Sequence, residues 1–222
     1  MRIKLKDRKL PDYTRGEETF NMVSHIAGVA FAILALVLCV VKAALQGNAW
    51  GVVGSAVYGA CMIILYCMSS IYHGLKPSLG KKVFQILDHC AIYFMIAGTY
   101  TPIALCAICP LYPAIGWVIF GLEWFGTALA VTLTAIDLKR YNLFSMVSYI
   151  VMGWCVLAVL PQTIKAITLP GFWLLLSGGL CYTLGAILFA IGTKKRYFHS
   201  AFHVFVLLGS ILQFLSIYLY VL

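Results

Sequence analysis

The chain has 222 residues, 63% of them hydrophobic and only 10% charged, with a mean hydropathy of +0.96 and a formal net charge of +9. Such a composition excludes a water-soluble domain of this length and leaves an integral membrane protein. The positive charge then reads as membrane topology, with attraction to anionic lipid, and nucleic-acid binding need not be invoked.

Apolar runs of the roughly 20 residues needed to cross a hydrocarbon core of about 30 Å fall near 22–43, 49–72, 84–107, 113–135, 142–162, 171–192 and 200–221. They predict an all-α membrane protein of seven transmembrane helices: a cytoplasmic N-terminal tail, 1–18, and a single membrane domain, 19–222. The tail, MRIKLKDRKLPDYTRGEE, is too polar to be the core of a secretory signal, and no small-residue cleavage pattern follows the first run. That run is therefore expected to be a retained helix.

The first segment opens with Glu18, Asn21 and His25, whose spacing puts them on one helical face. The second ends with Ser69 and His73, one turn apart. Asp88 and His89 open the third, which also carries Pro102 and, near its far end, Cys106 and Cys109. The spacing of these two cysteines resembles a redox or metal motif, but the other six read as apolar packing residues and no disulfide framework emerges. In the fourth, Glu123 sits at mid-span, where an unpaired charge costs about 2.5–3.5 kcal/mol. It either marks a cavity or proton path or is a neutral carboxyl bonded to a neighbouring helix. Gly116, Gly121 and Gly126 recur there every five residues, a weak packing signal. Pro161 in the fifth segment is expected to kink or end a helix. The seventh opens with His199 and His203, again one turn apart.

Orientation follows from the connections. Fourteen of the 16 Lys and Arg residues fall on one side: Arg2, Lys4, Lys6, Arg8, Lys9 and Arg15, then Lys76, Lys81 and Lys82, then Lys139 and Arg140, then Lys194, Lys195 and Arg196. Lys42 and Lys165 fall on the other. The N-terminus is therefore expected in the cytoplasm and the C-terminus outside. On this topology every histidine lies in the inner leaflet, as do Glu18, Ser69 and Asp88. Ionisable groups within a membrane normally face a partner or a cavity.

An i, i+4 histidine pair projects two imidazoles from one helix face, and a third from another helix completes a tripod suited to zinc. His73, His199 and His203 meet that description and leave a fourth position open to water. Asp88 is placed to act as general base or to accept a hydrogen bond from that water, and Ser69 to orient a group beside His73. Zinc in such a site suits hydrolysis of an amide or ester near neutral pH. His25 and His89 read as interfacial or supporting residues, and His89 points about 100° away from Asp88.

Glu18-x-x-Asn21-x-x-x-His25, Ser69-x-x-x-His73, Asp88-His89-x-x-Ile92-Tyr93 with Ala97-Gly98-Thr99-Tyr100-Thr101-Pro102, and His199-x-x-x-His203 together resemble the motif set of bacterial haemolysin III proteins, within the progestin and adipoQ receptor family. The resemblance spans essentially the whole chain. It implies a seven-helix fold with an intramembrane zinc near the cytoplasmic face, held by His73, His199 and His203, with Asp88 beside the water and Ser69 nearby. It also implies a role in membrane-lipid homeostasis and kinship with ceramidase-like hydrolases. The expected setting is a bacterial cytoplasmic membrane, with membrane lipids as partners and no obligate protein partner. A non-enzymatic lipid sensor with a structural zinc is the rival reading. A secreted pore-forming toxin fits poorly, because the spans would fix the protein in the membrane of the cell that makes it. A bis-histidine haem fits poorly too, because His199 and His203 share a helix face.

Overall fold

The computed structural model describes residues 5–192 and 195–222, and among them every regular element is helical. Arg2, Lys4 and Lys194 of the basic clusters lie outside the described residues. The main helices are α1 (Arg15–Leu45), α2 (Ala49–Gly74), α3 (Leu79–Pro102), α4 (Pro113–Ile136), α5 (Asn142–Gly153), α6 (Leu160–Gly192) and α7 (Phe198–Ser216). Short 3-10 segments occupy Leu5–Asp7 and Cys155–Val159, and π-helical turns follow α3 and α7 at Ile103–Ile108 and Ile217–Val221.

Helix starts are set by local chemistry. Thr14 and Glu17 form a reciprocal capping box at α1, while the Asn48 and Ser78 side chains accept from Gly51 N and Lys81 N at 2.8 and 3.1 Å. Gly47, at φ 67°, makes the left-handed turn between α1 and α2.

Among the described residues six helical stretches are long and apolar enough to cross a membrane, and the protein is a multi-pass membrane protein. One of them, Asn142–Gly192, runs 51 residues, which if straight would be about 76 Å, more than twice the hydrocarbon thickness. Its breaks are not where Pro161 suggested. Pro161 lies in the first turn of α6, where a missing N–H is tolerated, so it begins a helix. The kink comes at Thr168, with φ 63° and ψ 166°, two residues ahead of Pro170, which lacks the N–H that would bond back across this turn. Pro102 behaves as expected: α3 ends there and gives way to π-helical turns.

The buried face of α1 consists of Glu17, Asn21, His25, Gly28, Ala32, Ala35, Cys39 and Ala43, spaced three or four residues apart. Its first turns are polar and the rest are small, so α2 can approach closely. Gly28 meets Tyr66, and an added Cβ would lie 2.5 Å from that ring. Tyr66 in turn donates to Ser210 Oγ of α7 at 2.7 Å, and the Tyr182 hydroxyl of α6 lies 2.8 Å from the same oxygen. Gly28→Leu should therefore force Tyr66 off Ser210 and destabilise the bundle by about 1–3 kcal/mol. Thermal unfolding of the detergent-solubilised variant checks this, and an unchanged midpoint would show that the α1–α2 contact is looser than described. By contrast, a Cβ at Gly121 meets nothing within 4 Å, so the five-residue glycine spacing of α4 is not a continuous packing stripe.

Candidate metal centre

The end of α2 and the start of α7 bring three imidazoles together. His73, His199 and His203 are all buried, and one ligand atom from each lies within 4.8 Å of the others. His199 Nε2 is central, 3.3 Å from His73 Nε2 and 3.1 Å from His203 Nε2. Nitrogens bound to one tetrahedral zinc at 2.0–2.1 Å stand roughly 3.3–3.4 Å apart, so both spacings are close to those of ligands sharing an ion. The donors are all neutral-type nitrogens, the set that zinc favours.

Beside the trio, Ser69 of α2 lies next to the Asp88 carboxyl of α3, with His73 and His89 also near that carboxyl. Ser69, Asp88, His25 and His199 line one end of a cavity of about 140 Å³, some ten times the space that admits a single water. The cavity continues past Met95, Ile103, Phe172, Leu175 and Val206, with side chains of α5 and α6 contributing to its wall. At helical rise, Asp88 and Ile103 are about 22 Å apart, a large part of a bilayer's hydrocarbon thickness. The cavity therefore joins a polar end to a long apolar interior.

The polar cluster expected of Glu18, Asn21 and His25 divides between partners. Glu18 Oε2 lies 2.6 Å from His73 Nδ1, and Lys81 Nζ donates to Glu18 Oε1 at 2.7 Å. The His25 ring lies against His203, centroids 3.8 Å apart, and edge-on to Tyr66. Asn21 is fully buried, and neither atom of its amide group has a protein partner among the described residues. His89 turns its Nδ1 to Gln85 O at 2.8 Å and its ring to Phe189, apart from the convergent trio.

Two contributors were not singled out from the sequence. Tyr13, just ahead of α1, stacks on His199 with centroids 4.8 Å apart and planes 18° from parallel. Burial, and then the nearby Glu18, Asp88 and Glu17 carboxylates, push its phenol pKa well above the ordinary value, so it is a neutral hydroxyl. Glu17 accepts from Thr14 through one oxygen and from Tyr197 N at 2.7 Å through the other. Tyr197 has φ 62° and precedes α7, so Glu17 pins the strained turn that aims His199. The Thr14-x-x-Glu17 spacing is a capping-box signature and could have flagged Glu17; nothing local flags its distant partner.

Glu123 lies away from this cluster. It is 2% exposed, and its Oε1 accepts from Cys155 Sγ at 2.9 Å, the neighbouring-helix bond anticipated as one of its two readings. All eight cysteines are free, including Cys106 and Cys109.

A family model described as haemolysin-III related matches residues 13–214. The chain is 36% identical over 206 residues to Hemolysin-3 of Bacillus cereus, covering 93% of this chain and 92% of that one. It is 35% identical over 208 residues to the Hemolysin-3 homolog of Bacillus subtilis (strain 168), covering 94% and 96%. Over 211 residues it is 26% identical to the human monocyte to macrophage differentiation factor, covering 92% and 84%.

Proposed function

The chain belongs to the haemolysin-III family, and from that premise we propose that it is a zinc-binding protein of the cell membrane that hydrolyses an amide or ester bond of a membrane lipid. The observation that carries this reading is the convergence of three histidine nitrogens beside Ser69 and Asp88 at the polar end of a long apolar cavity. His73, His199 and His203 would hold the ion, which supplies a Lewis acid and makes water nucleophilic near neutral pH.

The remaining work falls to this chain's own side chains. Asp88 takes the proton of the attacking water and returns it to the departing nitrogen or oxygen, while the Ser69 hydroxyl fixes the carboxyl that does so. An acyl chain lies along Met95, Ile103 and Leu175, excludes bulk water and brings the scissile bond to the histidine end. A lipid substrate also explains why the site is placed within the hydrophobic spans, since it arrives through the bilayer. The role that fits is membrane-lipid homeostasis.

The proposed topology has seven crossings, with the break at Thr168 dividing Asn142–Gly192 into two. On that topology the basic residues favour an N-terminus in the cytoplasm, a metal end in the inner leaflet and a C-terminus outside. The relatives in Bacillus fit a bacterial cytoplasmic membrane.

The test is metal analysis of the purified protein together with incubation with N-acyl and O-acyl lipids. About one zinc per chain and release of fatty acid from one class supports the hydrolase. Zinc without release from any class favours the lipid-sensor reading, and absence of zinc from protein purified without chelator removes both.

A further inference from the structure

Among the described residues, only one of the three convergent histidines has its second ring nitrogen held by a carboxylate. Neither His199 Nδ1 nor His203 Nδ1 meets a carboxylate, whereas His73 Nδ1 meets Glu18 Oε2 at 2.6 Å. A carboxylate only accepts, so Nδ1 carries the proton, and in the neutral ring the lone pair then sits on Nε2. That is the nitrogen facing His199.

Glu18 is itself held. Its other oxygen accepts from Lys81 Nζ at 2.7 Å, and the same ammonium donates to Leu75 O at 3.0 Å and lies over the Tyr72 ring, 5.0 Å from its centroid. Lys81 is 3% exposed, although it lies in the first turn of α3, where its long stem would be free to reach water. A lysine serving only as a topological charge would take that route. Instead its three contacts join α1, the end of α2 and the α2–α3 connection on one side of His73.

We infer that Lys81 and Glu18 form a positioning relay for His73: Lys81 anchors one oxygen of the Glu18 carboxylate so that the other fixes the tautomer and ring orientation that presents Nε2 to the metal. The inference rests on the metal reading above. Neither residue touches the ion or the substrate; both act through His73.

The experiment is zinc competition with a chromogenic chelator, on folded, monodisperse full-length protein. In Glu18→Gln the zinc Kd should rise about 10–100-fold, the usual loss for a histidine's carboxylate partner. Lys81→Met should raise it in the same direction by less, and Lys81→Arg should restore part of the loss. In the double variant Lys81→Met should add little to Glu18→Gln, because both act through one carboxylate. Cobalt(II)-loaded Glu18→Gln should also show a shifted visible spectrum, which a remote packing defect would not produce. If Glu18→Gln does not yield folded protein, Lys81→Met and Lys81→Arg carry the test. Wild-type zinc affinity in the Glu18 or Lys81 variants, even with a lowered unfolding temperature, overturns the relay and leaves the metal reading standing. A wild-type protein that takes up no zinc overturns the metal reading, and the relay falls with it.

Discussion

His199→Ala removes zinc from the purified protein, lowering its affinity by more than about 100-fold, beyond what loss of an outer partner such as Glu18 produces. The expectation is strongest for this residue because His199 Nε2 is the central atom, within 3.3 Å of both other ligand nitrogens. Without it, one nitrogen from α2 and one from α7 remain, too few for a structural or catalytic zinc site. His73→Ala and His203→Ala should act in the same direction. His89→Ala is the control: it also lines the cavity, but its Nδ1 is committed to the Gln85 carbonyl. Metal content by atomic emission reads the result. If His89→Ala loses as much zinc as His199→Ala, the loss reflects general damage to the bundle end and the three-histidine assignment fails.

Asp88→Asn should keep zinc near one per chain and lower lipid turnover by about 10²–10⁴-fold, the range for loss of a positioned general base. The substitution preserves volume and the contact with Ser69 but removes the proton acceptor. It thus separates binding from chemistry, which the histidine variants cannot do. Ser69→Ala should cost less, about tenfold, since it orients the carboxyl and accepts no proton itself. Release of fatty acid at saturating lipid, set against zinc content of the same sample, reads both. Full turnover in Asp88→Asn would move the base elsewhere in the cavity wall.

Side-chain spacing within one helix was legible in the sequence, because a period of 3.6 residues fixes which residues share a face. Ser69 with His73 and His199 with His203 are of that kind. What spacing could not convey is how pairs on different helices meet. Lys81 counted only as one of the basic residues that set orientation, yet it is buried against Glu18. The polar residues of α1 read as one cluster because 3.6-residue spacing puts them on one face, yet the packing of α2 and α7 sends Glu18 and His25 to different histidines. The break in Asn142–Gly192 was misplaced because proline is ambiguous in sequence: Pro161 opens a helix, and the kink falls at Thr168, two residues ahead of Pro170.

The distances along the chain between these partners carry a consequence for how the protein is made. His73 and His199 are 126 positions apart, and Glu17 and Tyr197 are 180 apart. At roughly 5–20 residues per second, a ribosome reaches His199 about 6–25 s after His73. Once α3 has followed, the chain holds Glu18, His73, Lys81 and Asp88 while the α7 side of the metal end is still to be made. Insertion of α7 closes that side. A chain stalled before this step would leave those ionisable groups without their α7 partners, at a cost in the membrane.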